Sequence, residues 1–369
     1  MRLLTLFPKC ENVHLIKDVG MIPFTLQKIY NYDVTIASYD NGDYPYLITE
    51  VKGIKQKFIK KIFSNPKIDS IIFLIRYARN YDILQVYHFS LTSILHLFLF
   101  KCLNGFNPTK KTYLKLDADD DILKLRLRGL LGKIMKMFLA KINLVTIETS
   151  ILFSKLNKMK VFVKNLYCVP NGFFDDGNRK DVNFEQKDNL IITVGRIGTF
   201  QKSNEILLDA FAEFYKNNRD WKLELIGSIE PDFKQYIRLF FISNPDLVGN
   251  ISFTGSINDR VELAAKYKKA KIFVLTSKYE GFPLVFLEAI RFGCTIISSD
   301  VTAAYDITNN GMYGKIFDKN DPNALRIELE NVANDTMYME ANTNSVQKFA
   351  YNNFYWPTLI KKIHEVLIS

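Results

Sequence analysis

The chain has 369 residues and a formal net charge of +10, too long for one ordinary open-sheet domain and comfortable for two hydrophobic cores. Its four cysteines, Cys10, Cys102, Cys168 and Cys294, are far apart, with no CxxC pair and no histidine at metal spacing. That excludes a structural zinc and points to free thiols in a reducing, cytoplasmic setting. The charge is uneven: residues 1–172 carry 26 Lys+Arg against 13 Asp+Glu, or +13, and the remainder carries 23 against 26, or −3. Such an excess asks for an anionic partner, either a membrane surface, a phosphorylated acceptor or nucleic acid. Nucleic acid fits least, because the basic residues form no motif with interleaved stacking aromatics.

Residues 3–7 end at Pro8, an apolar run too short for a secretory signal and suited to a first strand. Further strand candidates follow at 34–39, 83–89, 112–117, 144–148 and 166–169, alternating with helical segments, as in a parallel sheet with crossover helices. Between the first two strands, Asp18-Val19-Gly20-Met21-Ile22-Pro23 reads as a turn leading into a helix that runs to about Tyr30. Residues 89–100 form the longest apolar segment. Ser90, Thr92, Ser93 and His96 interrupt it, and it falls short of the ~20 residues that span a bilayer, so no transmembrane helix is expected.

Two basic stretches stand out. Lys52, Lys55, Lys57, Lys60 and Lys61 crowd one segment, and residues 122–142 interleave Lys124, Arg126, Arg128, Lys133, Lys136 and Lys141 with Leu, Ile, Met and Phe. The second suits either an interfacial helix on an anionic membrane or a core helix with a solvated face. The +13 of the first half favours the membrane, at about 1 kcal/mol for each Lys or Arg near an anionic leaflet. Asp117 ends its strand and opens Asp117-Ala118-Asp119-Asp120-Asp121. The acidic pair invites a metal reading, but capping and first-turn charge account for it equally, and no metal is expected.

A polar linker is placed at 175–188. A second alternation then begins, with strands at 190–194, 222–226, 251–254, 271–275 and 295–298 and helices at 204–215, 259–270 and 283–292. Val194-Gly195-Arg196 followed by Lys202 puts a glycine turn at a strand end and two cations on the ensuing loop, able to converge on one diphosphate. Gly255 ends the strand at 251–254. After the strand at 271–275, Glu280-Gly281-Phe282-Pro283 leads into a helix with Pro283 at its first position. Phe282 cannot cap, so the N–H groups of Leu284 and Val285 are left for an anion such as a pyrophosphate, or for water. Glu280 and Glu288 look into the same crevice, where carboxylates can accept from vicinal hydroxyls of a sugar or ribose.

The run from Glu280 to Ala289, Glu-x7-Glu with Gly-Phe-Pro inside it, closely resembles the signature of the retaining GT-B glycosyltransferases of family 4. The resemblance implies an α/β fold of two doubly wound Rossmann-like domains facing a central cleft. Residues 1–172 would be the acceptor-side domain and 173–351 the nucleotide-sugar-binding domain, with a helix at about 352–369 packing back on the first. Val169-Pro170-Asn171-Gly172 resembles the element that closes the first domain in this family. The implied activity is transfer of a hexose from a UDP- or GDP-sugar to a glycan or lipid-linked acceptor in bacterial surface polysaccharide or glycoconjugate synthesis, without cofactor or metal.

By the same resemblance, Arg196 and Lys202 neutralise the leaving diphosphate, Glu280 contacts the donor hexose, Glu288 the ribose, and the Leu284 and Val285 amides the diphosphate. Gly195, Gly255, Gly281, Phe282 and Pro283 shape the donor loops. Gly20 resembles the acceptor-facing glycine loop, with one glycine where many members have two. Asp117 stands where the family often carries a histidine, and Ser203 where a glycine usually follows the lysine. A non-catalytic GT-B protein, acting as a sugar-binding or membrane-bound partner subunit, is the alternative. Retention of Arg196, Lys202, Glu280 and Glu288 together argues against it.

Overall fold

The computed structural model describes every residue except 128, 163, 176, 178 and 180, and only the backbone of Leu131. Two parallel sheets carry the chain. The first comprises β1 (Arg2–Leu6), β2 (Asp33–Ser38), β3 (Lys55–Phe58), β4 (Ile83–Tyr87), β5 (Lys111–Lys115), β6 (Leu144–Ile147) and β7 (Leu166–Cys168), in the order β3-β2-β1-β4-β5-β6-β7. The second comprises β8 (Asp188–Val194), β9 (Lys222–Ile226), β10 (Ile251–Gly255), β11 (Ala270–Leu275), β12 (Thr295–Ser299) and β13 (Gly314–Phe317), in the order β10-β9-β8-β11-β12-β13.

The period of two along each strand feeds two layers of core. Leu4, Leu84, Leu114 and Val145 pack on one face with Leu97, Phe100 and Leu139. Their neighbours Leu3, Ile83, Tyr113 and Leu144 point to the other, against Trp356, Ile360 and Ile363. Burial on both faces is why these strands are near-continuous apolar runs.

The chain divides into one unit of Met1–Phe174 with Phe354–Ser369, and a second of Asp175–Asn353. The last helix, Trp356–Ile368, therefore leaves the second unit and completes the core of the first. It packs on the helix Asp18–Tyr30, with the Tyr30 and His364 rings stacked at 3.6 Å. Gly172 makes room for that return: a Cβ there would stand 2.8 Å from Phe354 O and 2.9 Å from the Trp356 ring. None of the four cysteines forms a disulfide with another. No helix among the described residues is long and apolar enough to cross a membrane.

The structure departs from the sequence reading in several places. β3 and β13 were not expected: β3 reads Lys-Gln-Lys-Phe, polar because it is a sheet edge, where lysines discourage further pairing. Gly20 lies inside a helix that already begins at Asp18, and not in a turn before it. Its missing Cβ, which would stand 2.0 Å from Leu15 O, lets the preceding turn pack directly on the helix. Residues 122–142 are not one helix. A 3-10 turn, Asp120–Lys124, is followed by extended Leu125, and the α-helix Gly129–Leu139 starts only at Gly129, whose φ of 66° breaks the path. Arg128 lies outside the described residues.

Candidate active site

Ligands of open α/β sheets bind beyond the carboxyl ends of the strands, where the strand order reverses. In the second sheet that point lies between β8 and β11. Small residues line this edge. Gly195 follows β8, Gly227 follows β9 and Gly255 ends β10. The Gly195 N–H donates to Ile226 O and the Gly227 N–H to Gly255 O, both at 2.9 Å. A Cβ on Gly227 would stand 1.7 Å from Gly195 O, so these backbones approach as only glycine permits. Gly227 escaped the sequence reading, although glycine after an apolar strand was the signal that marked Gly195.

The loops after β8 and β11 are tied together. Thr276 Oγ1 donates to Lys202 O at 2.7 Å, the Lys278 N–H to Gln201 O at 2.8 Å, and Gln201 Nε2 to Tyr279 O at 3.0 Å. These bonds bring Lys202 Nζ to 2.6 Å from Glu280 Oε1, both side chains largely buried, while Lys202 runs across the bare Cα of Gly195. Ser277 Oγ donates to the same carboxylate oxygen at 2.7 Å, and Ser299 Oγ holds Ser277 O at 2.6 Å. Arg196 is exposed and forms no hydrogen bond or ion pair among the described residues. Its guanidinium is open to an anion, while the Lys202 ammonium shares its charge with Glu280 and keeps further N–H donors.

The helix at this edge runs Leu284–Arg291, one residue shorter at its start than expected. Pro283 has helical φ (−69°) but extended ψ (127°), so it is the cap and not the first helical residue. Proline has no side-chain acceptor, and the N–H groups of Leu284 and Val285 find none among the described residues. Phe282 is buried and anchors the loop, with Gly281 half-buried beside it. Glu288 accepts from the buried Tyr267 hydroxyl through Oε2 at 2.9 Å. Burial pushes its carboxyl above the usual range, against the opposing pull of that hydroxyl and of Arg260 and Arg291. Tyr267 was not foreseen, because its hydroxyl reaches Glu288 from another helix.

Gly20 and Asp117 belong to the first unit, where the strand order reverses between β1 and β4. Asp117 has a left-handed backbone, φ 42°, and so does His88 after β4, φ 60°. His88 Nδ1 lies 3.9 Å from Asp117 Oδ2, both partly exposed. The sequence reading missed His88, a single histidine directly after an apolar strand. Asp119 does other work, its carboxylate accepting from the Asp121 N–H at 3.0 Å.

Beneath Asp117 lies a buried charge cluster. Lys115 Nζ is 2.6 Å from Glu148 Oε1 and 3.6 Å from Asp18 Oδ2. Glu148 also accepts from the N–H groups of Asp117, at 3.1 Å, and Ala118, at 3.2 Å, which fixes the left-handed turn. Three donors stabilise a charge on Glu148, against the burial that pushes its carboxyl above the usual range. Asp18 Oδ2 has no hydrogen bond, and burial pushes the Asp18 carboxyl up to about 7 despite the pull of Lys115.

The chain has relatives among known proteins. Residues 174–353 match the model of the glycosyl transferases group 1. The amylovoran biosynthesis glycosyltransferase AmsD of Erwinia amylovora is 25% identical over 283 residues, 73% of each chain. A Campylobacter jejuni N-acetylgalactosaminyltransferase acting on an undecaprenol-diphosphate-linked glycan is 28% identical over 51% of this chain and 50% of its own. The capsular polysaccharide glycosyltransferase CapM of Staphylococcus aureus is likewise matched over only 46% of its length. Among solved structures, Anabaena Alr3699/HepE in complex with UDP and glucose superposes with a TM-score of 0.71 over 100% of this chain and 99% of its own, at 15% identity. That likeness shows the GT-B fold, two Rossmann-like domains. Residues 174–353, which take in the whole second unit, thus carry the likeness to the glycosyl transferases group 1.

Proposed function

We propose that the chain is a retaining, metal-independent transferase that moves a hexose from a UDP- or GDP-sugar to a glycan or lipid-linked acceptor in bacterial surface polysaccharide synthesis. The observation that carries the reading is the ammonium–carboxylate pair Lys202–Glu280, 2.6 Å apart at the sheet's reversal point, beside a helix start with two unclaimed N–H groups. A sugar leaving its nucleotide develops positive charge on the ring and negative charge on the diphosphate oxygen. Arg196, Lys202 and the Leu284 and Val285 amides supply fixed positive potential for that oxygen, so a divalent ion is not required. Glu280 faces the hexose, and Glu288, oriented by Tyr267, accepts from ribose hydroxyls. In the family's usual course the acceptor attacks from the face the diphosphate leaves. Asp117 with His88 and, through its helix, Gly20 are assigned to the acceptor side of the first unit. The relatives that make amylovoran and capsular polysaccharide, and the one acting on an undecaprenol-linked glycan, support the acceptor class. HepE, bound to UDP and glucose, supports a nucleotide-sugar donor.

The test is a screen of nucleotide-sugars by thermal shift, followed by donor hydrolysis with the stabilising one. Arg196→Ala should cost on the order of 2–4 kcal/mol in kcat/KM. Glu288→Ala should weaken binding of the bare nucleoside diphosphate by about 1.5–3 kcal/mol. Activity should survive EDTA. No turnover of any nucleotide-sugar would favour a sugar-binding partner subunit, and loss in EDTA with rescue by manganese would overturn the metal-free mechanism.

A further inference from the structure

Helices Leu91–Leu103 and Gly129–Leu139 lie side by side in the first unit. Each carries an apolar stripe at i, i+4 and i+7 that the core does not use: Leu91, Leu95 and Phe98 on one, Leu130, Ile134 and Met137 on the other. Leu91 is 74% exposed and Leu130 75%. The Phe98 and Phe138 rings, 4.7 Å apart, join the two helices. Between the helices opens a cavity of about 190 Å³, walled by Ile94, Leu97, Phe138 and Ile142 together with Lys101 and Lys141. Exposed apolar area of this kind on one face asks for a partner.

The charges say which. No Asp or Glu occurs between residues 91 and 116 or between 122 and 147. Lys133, Lys136 and Lys141 have no ion pair among the described residues. By contrast, the other basic segment is engaged, Lys55 with Asp33 at 2.7 Å and Lys57 over the Tyr77 ring at 3.3 Å. A second copy of the chain in a two-fold pair would set lysine against lysine. An anionic bilayer offers negative headgroups and an apolar interior at once.

We propose that the face formed by these two helices docks on an anionic phospholipid leaflet, with Leu91, Leu95, Leu130 and Ile134 in the acyl boundary and Lys133, Lys136 and Lys141 at the headgroups. The inference deepens the reading of a lipid-linked acceptor and rests on it for its purpose. A protein so held reaches such an acceptor without spanning the membrane.

The experiment is flotation of the full chain with phosphatidylcholine vesicles, with and without about 30 mol% phosphatidylglycerol, in salt of about 0.1 M and 0.5 M. Wild type should float with anionic vesicles only, and part of it should stay bound at high salt. Lys133→Glu with Lys136→Glu should weaken binding about tenfold or more at low salt. Leu91→Asn with Leu95→Asn, both exposed, should remove the salt-resistant fraction. Wild type that ignores anionic vesicles, or binding that neither pair alters, overturns the proposal. Binding that high salt abolishes in wild type overturns the insertion. A dimer in light scattering that Leu91→Asn with Leu95→Asn dissolves, without flotation, assigns the face to a second copy. Hydrolysis of the nucleotide-sugar in water should be unchanged in both pairs, so loss of the docking face and failure of the transferase reading give different results.

Discussion

Lys202 and Glu280 sit on loops 78 residues apart in sequence yet share a bond of 2.6 Å, so a change at either leaves the other partly buried and unpaired. Their effects on catalysis should therefore not add. Lys202→Ala and Glu280→Ala are each expected to lower kcat/KM by about 2–4 kcal/mol, with the double variant less damaged than the sum by on the order of 1–3 kcal/mol. A double-mutant cycle on donor hydrolysis measures this, and strict additivity would show that the two side chains act independently of each other.

At the same scale, Asp18 ties stability to pH. Its folded carboxyl, pushed up to about 7 by burial, lies above the ordinary carboxylate value. The neutral form is favoured in the fold, so its contribution is complete at acid pH and is lost as pH rises through about 7. Asp18→Asn should accordingly gain on wild type by on the order of 1–3 kcal/mol between pH 5 and pH 8.5, in denaturant melts at both pH values. A stability difference that does not change with pH would place the charge elsewhere in the cluster.

At the scale of elements, the three strand-end glycines differ in what they permit, and substitution separates them. Gly227, at φ 149° and with Gly195 O where its Cβ would be, has no room. Gly227→Ala should cost more than about 3 kcal/mol and abolish nucleotide binding. Gly255, at φ 77°, has nothing within 4 Å of that position. Gly255→Ala should cost only the backbone strain, about 1–2 kcal/mol, and leave binding in place. Equal losses in thermal melts would mean that close approach does not organise this edge.

The contrast bears on what the sequence made legible. Gly195, Gly255 and the Glu280–Glu288 run were readable because strand, turn and helix signals are local. So was the parallel alternation that gave the two-domain α/β fold. Gly227 was not, because its constraint comes from Gly195 on a neighbouring strand, 32 residues away in sequence. The Tyr267 hydroxyl on Glu288 and the turn that Glu148 fixes at Asp117 are tertiary in the same sense. β3 was hidden by its polarity, since an edge strand need not look like a buried one. The helix expected over 122–142 had the right composition but the wrong continuity: Gly129, in left-handed geometry, cuts it.

For the whole molecule, the decisive feature is that the chain order and the cores disagree. Helix Trp356–Ile368 comes last in sequence, yet Trp356, Ile360, Ile363 and Leu367 are buried in the core built by β1, β4, β5 and β6. Each large buried side chain of this kind is worth about 2–5 kcal/mol. Together they rival the ~5–15 kcal/mol that holds a domain folded. A chain stopped after Tyr355 should thus lose the first unit and keep the second, whose core of Ile191, Leu223, Ile272 and Ile297 contains none of these residues. Calorimetry should show one transition left, that of the second unit. Whichever of UDP and GDP raises the melting temperature of the intact chain should still raise that transition, because Arg196, Lys202, Leu284 and Glu288 all lie in the second unit. If the truncated chain melts like the intact one, the last helix is an ornament on the first core. If the nucleotide no longer shifts the surviving transition, the donor site needs more than the second unit supplies.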